Sequence, residues 1–363
     1  MKYQYWLSNI EGIGSVTIKK LLNYVGSAEE LYFLPEEQFA LMTDISLKEQ
    51  EKIQDSRKKW DLDEELGIFL QKGISFVSQE MEQFPEKIRY IDNPPYSIYF
   101  KGELPDERKN CVAIVGARRC SEYGRAMAEK LATQLAKYDV PVISGLARGV
   151  DSYAHIGAVR GGGKTFAVLG CGVDICYPPQ HKQLYQEILE KGGIISEYPP
   201  GLAPKPQLFP ARNRIISALC DVLVVVEAKE KSGSLITADF ALEQGKDVFA
   251  FPGRATDELS FGCNALIRQG AGIITSVDSF LTDIGVLGQN EYTQETLLEN
   301  FPKIFLEKEE SMVYSCLDLR PKSLEEIAFR TGFKTQYLTS LIQRMIEKGV
   351  LKETFRNYYI RAN

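Results

Sequence analysis

The sequence predicts an α/β protein: an extended Rossmann-like doubly wound parallel sheet, with a helical N-terminal domain before it and a small winged-helix-like C-terminal domain after it. Three observations carry this. Val112 to Val115 form an apolar run, Ser121 to Tyr138 carry apolar residues at Ala128, Leu131, Ala132 and Leu135, and Val140 to Ile143 form a second run. Strand, helix, strand at this spacing is a βαβ unit of a parallel sheet. The same alternation then continues to Ile274. Finally, helix, turn, helix and hairpin follow one another near the C-terminal end, which is a winged-helix order. The expected divisions are 1–100 for the helical N-terminal domain, 101–283 for the sheet domain, 284–305 for a partly helical linker and 306–363 for the winged-helix-like domain.

Composition sets the bounds. A chain of 363 residues with 44% apolar content has room for two or three domains and a sizeable core. A net charge of −6 excludes a uniformly basic DNA-coating protein but leaves room for a local basic site. The seven cysteines form no CxxC pair and the two histidines are His155 and His181, so no metal site is expected. An odd cysteine count without framework spacing suits a reducing compartment. No basic-then-apolar leader occurs, nor an apolar run of about 18–20 residues. The expectation is a cytoplasmic protein that does not engage a membrane.

In the N-terminal part, Ile10-Glu11-Gly12-Ile13-Gly14 precedes Ile18, Leu21 and Leu22 at helical spacing. Two glycines between helices suit a turn whose N–H groups meet a phosphate, as in a helix-hairpin-helix. They equally suit a plain corner of a helical bundle. Further helices are expected over Leu47 to Trp60 and Asp61 to Gln71, and a strand over Ile74 to Ser78. Pro85 and Asp92-Asn93-Pro94-Pro95 mark an extended connector, since proline removes donors and restricts its predecessor. Ile98 to Phe100 is expected to be an edge strand.

In the central part, further strands are expected over Lys164 to Leu169, Gly193 to Ser196, Val222 to Val226, Asp247 to Phe251 and Gly272 to Ile274. Helices are expected over Ser152 to Val159, His181 to Lys191, Asn213 to Leu219, Ser234 to Gln244 and Asn264 to Gln269. Gly161-Gly162-Gly163-Lys164-Thr165 mimics the end of a P-loop. However, position 158 is Ala158, and the segment precedes a strand where a P-loop follows one. Gly116-Ala117-Arg118 likewise misses the dinucleotide pattern, so no nucleotide cofactor is expected.

The strand ends hold the polar chemistry, and in open α/β sheets ligands bind beyond those ends. Gly116-Ala117-Arg118-Arg119 and Ser144-Gly145-Leu146-Ala147-Arg148 combine glycine, which lets a ligand approach the backbone, with arginine, which grips phosphate. Phe209-Pro210-Ala211-Arg212-Asn213-Arg214 is read as lying just before a helix. Ser232-Gly233-Ser234 opens another, where N–H groups favour an anion. The backbone of Gly116, Ser144, Gly145, Ser232, Gly233 and Ser234 is the expected phosphate cradle.

From Gly116 through Asp278 these motifs resemble the DNA-processing protein A family (DprA, also called Smf): Gly-x-Arg, Ser-Gly-x-Ala-x-Gly-x-Asp, Tyr-Pro, Phe-Pro-x-Arg-Asn-Arg-Ile-Ile, Ser-Gly-Ser-Leu-Ile-Thr-Ala, Pro-Gly and Gly-x-Asn. The resemblance implies a single-stranded DNA-binding protein of natural transformation. Such a protein protects incoming strands, dimerises through its Rossmann domain and loads RecA recombinase, with single-strand binding protein as a further partner. Carried over, the DNA pocket falls on Arg118, Lys182, Arg212 and Arg214, with Asn213 beside them. Tyr185, one helical turn after Lys182, is expected to stack on a base. Arg148 and Arg119 are expected at the rim, and Asp151 within its turn. Pro179 and Gln180 stand where some relatives carry basic residues.

At the C-terminal end, Ser323 to Glu326 reads as a capping box opening a helix that Gly332 ends. Lys334 to Lys348 forms a second helix, with Leu338, Leu341, Ile342, Met345 and Ile346 on one face. Val350 to Phe355 and Tyr358 to Arg361 pair around Arg356-Asn357. The exposed side of the second helix is too mixed to choose between DNA and a protein partner.

Three functions are compatible with such a crevice. The first is a non-enzymatic DNA binder. The second is an enzyme resembling the LOG-type phosphoribohydrolases, nucleotide-hydrolysing Rossmann proteins with Pro-Gly-Gly-x-Gly-Thr-x-x-Glu at the matching helix. Here the residue three after Thr237 is Phe240, so the general acid/base is missing. The third is a small-nucleotide sensor, which needs only the pocket. No catalytic residue is assigned.

Overall fold

The computed structural model describes residues 1–39, 41–287 and 306–362. Residues 288–305, most of the expected linker, lie outside them. The chain divides into two compact units: Met1–Arg119 with Ala128–Val277, and Cys120–Met127 with Asp278–Asn363. Among the described residues no helix is long and apolar enough to cross a membrane.

The first unit is built on one nine-stranded sheet. Its strands are β1 (Ser75–Ser78), β2 (Ser97–Gly102), β3 (Val112–Val115), β4 (Val142–Ser144), β5 (Thr165–Val168), β6 (Gly193–Ser196), β7 (Val222–Val225), β8 (Asp247–Ala250) and β9 (Gly272–Ile273). Their order is β1-β2-β6-β5-β4-β3-β7-β8-β9. From β6 to β9 along this order every pairing is parallel. The strands β3, β5, β6 and β7 are buried at every position, as parallel strands covered by helices on both faces must be. The sheet grows one way through β4, β5 and β6 and the other way through β7, β8 and β9, so it is doubly wound, with its switch point between β3 and β7.

Two expectations about the N-terminal part change. The strand read as an edge, β2, lies inside the sheet, antiparallel to β1 on one side and to β6 on the other. The boundary placed at residue 100 therefore runs through a strand. The physical reason is a shared core: Tyr5 and Phe69 from the N-terminal helices are buried with Phe76, Tyr99, Leu169 and Ile194 of the sheet region. The remaining N-terminal helices close over Trp6, Leu21, Leu31, Phe39 and Ile53. The glycine turn does join two helices, Lys2–Ser8 and Ser15–Val25, with Gly12 at φ +77.

In the second unit the helices Lys308–Cys316, Leu324–Thr331 and Thr335–Glu347 pack on a three-stranded sheet of β10 (Lys322–Ser323), β11 (Leu351–Phe355) and β12 (Tyr358–Arg361), in the order β10-β12-β11. Val313, Ile327, Leu338, Leu341 and Met345 form its core. Ser323 accepts from the Glu326 N–H, and Gly332 ends that helix in the left-handed region. The return half of the expected capping box is replaced, since the Glu326 carboxylate pairs with Arg330 at 3.0 Å.

Candidate functional site

Beyond the carboxyl ends of β3 and β7, where the sheet changes its direction of growth, a crevice of about 370 Å³ opens. The turn after β3 supplies Gly116, Ala117, Arg118 and Arg119. The segment after β7 supplies Lys229, Lys231, Ser232, Gly233 and Ser234. The helix Leu208–Leu219 supplies Phe209, Arg212 and Asn213. Arg118, Arg119, Lys229 and Lys231 are all exposed. Among the described residues, Arg118, Arg119 and Lys231 form no ion pair, whereas Lys229 pairs with Glu258 at 2.6 Å. The Arg118 guanidinium lies over the Phe209 ring, 5.4 Å from its centroid. Four cations and one apolar ring line the same crevice, an arrangement that can accept an anion carrying an aromatic group.

The floor is made of buried polar groups. Arg212 is 4% exposed and donates from Nη1 to the Gly145 carbonyl at 2.9 Å and to the Val168 carbonyl. Asp151, also buried, accepts from the N–H of Gly145 at 3.1 Å and of Ala147 at 3.4 Å. The two side chains meet over Gly145, where a β-carbon would lie 2.6 Å from Arg212 Nη2 and 2.7 Å from Asp151 Oδ2. Burial pushes the Asp151 carboxyl up and the Arg212 guanidinium down, and each charge opposes the shift of the other. This pair ties the ends of β4 and β5 to the helix that carries Phe209.

The sequence profile of the family described as "DNA recombination-mediator protein A" matches residues 75–285, more than half of the chain and every residue of the crevice. The chain belongs to the DNA recombination-mediator protein A family. It is 36% identical to the protein Smf of Synechocystis sp. over 298 residues, 80% of this chain and 75% of that one. The X-ray structure of DNA processing protein A from Streptococcus pneumoniae matches with a TM-score of 0.69 and 35% identity, covering 78% of this chain and 98% of that one. DNA processing protein A from Helicobacter pylori, described with a single-stranded DNA binding mode, matches with a TM-score of 0.53 and 32% identity over 58% of this chain and 95% of that one.

The family motifs do not converge on one surface. Arg118, Arg212, Asn213, Gly116, Ser232, Gly233 and Ser234 line the crevice. Asn213 spans it, donating to the Gly233 carbonyl at 3.2 Å and accepting from Arg212 Nε at 3.2 Å. Arg148 and Lys182 are exposed outside its lining. They sit on adjoining turns, because the His181 ring bonds the Leu146 carbonyl at 3.1 Å.

Five expectations are corrected. Tyr185 is 5% exposed, and its hydroxyl donates to the Val173 carbonyl, so it offers no ring face to a base. Arg214 is spent on Glu197, at 3.0 and 2.6 Å, and on the Asn93 carbonyl at 3.0 Å. The Gly145 N–H and carbonyl are taken by Asp151 and Arg212, leaving nothing for phosphate. Ser144 lies within β4, fully buried and paired with Ala167 of β5, so its backbone is not open to phosphate. The three polar residues 212–214 also lie within a helix that begins at Leu208, not ahead of one. Sequence reasoning passed over Lys229 and Lys231, whose position beyond the apolar run of β7 was the available signal, and the ring of Phe209.

Proposed function

We propose that the crevice binds single-stranded DNA and that the chain is a non-enzymatic recombination mediator. In this reading it protects an incoming strand and loads RecA recombinase onto it in natural transformation. The observation that carries the reading is the trio of Arg118, Arg119 and Lys231, without ion pairs among the described residues, lining one crevice with the Phe209 ring at the switch point of an otherwise acidic chain. Backbone cations give salt-dependent, sequence-independent affinity, and a ring adds base stacking. A space of about 370 Å³ has the size of sites that take one small organic group, such as a single nucleotide drawn out of a stack. The single-strand binding mode described for the Helicobacter pylori relative supports the same reading.

Turnover on nucleotides would have to rest on a single carboxylate. Among the described residues lining the crevice Asp151 is the one carboxylate, and it is held by two backbone N–H groups. Incubation with nucleoside monophosphates should release no free base. Release that disappears in Arg118→Ala would contradict the binder reading. The same proposal includes a homodimer through the sheet domain, with RecA and single-strand binding protein as partners, on the strength of family membership. A cytoplasmic setting fits the seven free cysteines. Competition between oligothymidine, a duplex of equal length and thymidine monophosphate for the purified chain tests the core of it. The single strand should bind most tightly and weaken steeply with salt. Equal affinity for the duplex would contradict the proposal, and tighter binding of the monophosphate would favour a nucleotide sensor.

A further inference from the structure

The crevice does not end at Phe209. Tyr177 stacks on that ring, with centroids 5.6 Å apart and planes 29° from parallel. One face of Tyr177 is therefore covered, yet the residue is 41% exposed. The uncovered side of the ring is its outer face. An aromatic ring left open to water beside a cationic crevice is costly to hydrate and unused by the core, unlike the buried Tyr185. The stack is fixed from below as well. A β-carbon at Gly170 would lie 2.8 Å from the Phe209 ring, so the strand end supports Phe209 and Phe209 in turn supports Tyr177. Two further exposed cations belong to the segments next to this ring in the chain or joined to it. Lys182 is exposed, and its charge acts on the thiol of Cys176, the neighbour of Tyr177. Arg148 lies on the turn joined to this one through His181 and Leu146. Arg118, Phe209 and Tyr177 are thus in contact in succession, and Lys182 follows Tyr177 closely in the chain.

We propose that the outer face of Tyr177 is a second base-stacking position, taking the nucleobase next to the one in the crevice, and that the strand leaves over it toward Lys182 and Arg148. This rests on the single-strand reading of the crevice and adds a direction to it. Base–aromatic stacking tolerates any base, because every base has a π face. The hydroxyl of Tyr177 plays no part in it.

The experiment is equilibrium binding of the full chain to oligothymidine and to an abasic strand of the same length, for the wild type, Tyr177→Leu and Tyr177→Phe. Tyr177→Leu should weaken oligothymidine binding about tenfold or more, in the range of one lost base–aromatic stack. Tyr177→Phe should bind as the wild type does. The abasic strand should bind all three alike, with the same salt slope, since no cation has been removed. Oligothymidine binding unchanged in Tyr177→Leu overturns the inference. So does an equal loss on the abasic strand, because that marks a disturbed crevice. A second readout does not depend on the variant's affinity. A short strand carrying 2-aminopurine should be quenched more at saturation by the wild type than by Tyr177→Leu, and equal quenching counts against the stack. The failure of the broader reading looks different: the wild type then binds neither strand, or binds both with no loss in Arg118→Ala.

Discussion

Arg118 and Arg212 face the same crevice, and their surroundings assign them opposite consequences when removed. Arg212 is buried, bonds two strand-end carbonyls and stands against the buried Asp151. Arg212→Ala removes both strand-end hydrogen bonds and the nearby cation that favours the Asp151 carboxylate, and a buried acceptor left unpaired costs about 1–3 kcal/mol of stability. Denaturant unfolding should show a midpoint lowered accordingly, and an unchanged midpoint would mean that water replaces the guanidinium. His155 makes a separate residue-scale case. Its ring is fully buried, bonds Thr165 through Nδ1 at 2.7 Å, and leaves Nε2 unpartnered. Burial, then His181 and Arg212, holds its pKa down to about 3, against about 6.5 when unfolded. The folded chain thus keeps His155 neutral while the unfolded chain protonates. Stability from this group is full above pH 6.5 and falls by about 1.4 kcal/mol per pH unit below it, down toward pH 3. Unfolding free energies at pH 7 and pH 5 should differ less in His155→Gln than in the wild type; equal differences would mean that the ring is hydrated. The motif around 212–214 was visible in sequence, but its division of labour was not. Consecutive helical residues point about 100° apart. Arg212 therefore enters the strand ends, Asn213 faces the crevice, and Arg214 reaches Glu197.

At the scale of elements, the order of strands and helices was legible because buried parallel strands read as short apolar runs and the helices keep their period. The start of the helix Leu208–Leu219 was not, because Pro210 reads as a breaker. In the first turn of a helix its missing N–H is one that would have had no partner, so the helix begins before it. The membership of β1 and β2 in the large sheet was also hidden. Strand pairing across Ser97–Gly102 and Gly193–Ser196 joins segments far apart in the chain, and no local period reports it. The turn from β4 into the helix Val150–Arg160 gives the test at this scale. Gly149 has φ +78, and a β-carbon there would lie 2.2 Å from the Ala117 carbonyl, in the very turn that carries Arg118. Gly149→Ala combines left-handed backbone with a backbone clash, and should cost more than about 1 kcal/mol in stability together with affinity for single strands. A variant that melts and binds as the wild type does would show that the two turns separate freely.

For the whole molecule, the sequence pointed to a local basic site on an acidic chain, and the fold concentrates that site at the switch point of the sheet. Which cations take part was only half legible. Arg118 follows from topology, because it ends the first parallel strand. Lys229 and Lys231 become neighbours of Arg118 only when β7 pairs with β3. The central claim is that Arg118, Arg119 and Lys231 hold the phosphates of a single strand while the buried Arg212 holds the fold. The most direct test is the affinity for oligothymidine as a function of salt, for the wild type and Arg118→Ala, alongside their thermal midpoints. The wild type should show a log–log slope of about −0.7 for each phosphate contacted. Arg118→Ala should bind more weakly by about 1–3 kcal/mol, as expected for a lost charge-assisted hydrogen bond. Its slope should be shallower by about one contact, with the midpoint nearly unchanged. An Arg118→Ala chain that melts several degrees lower yet keeps the wild-type affinity and slope would contradict the account.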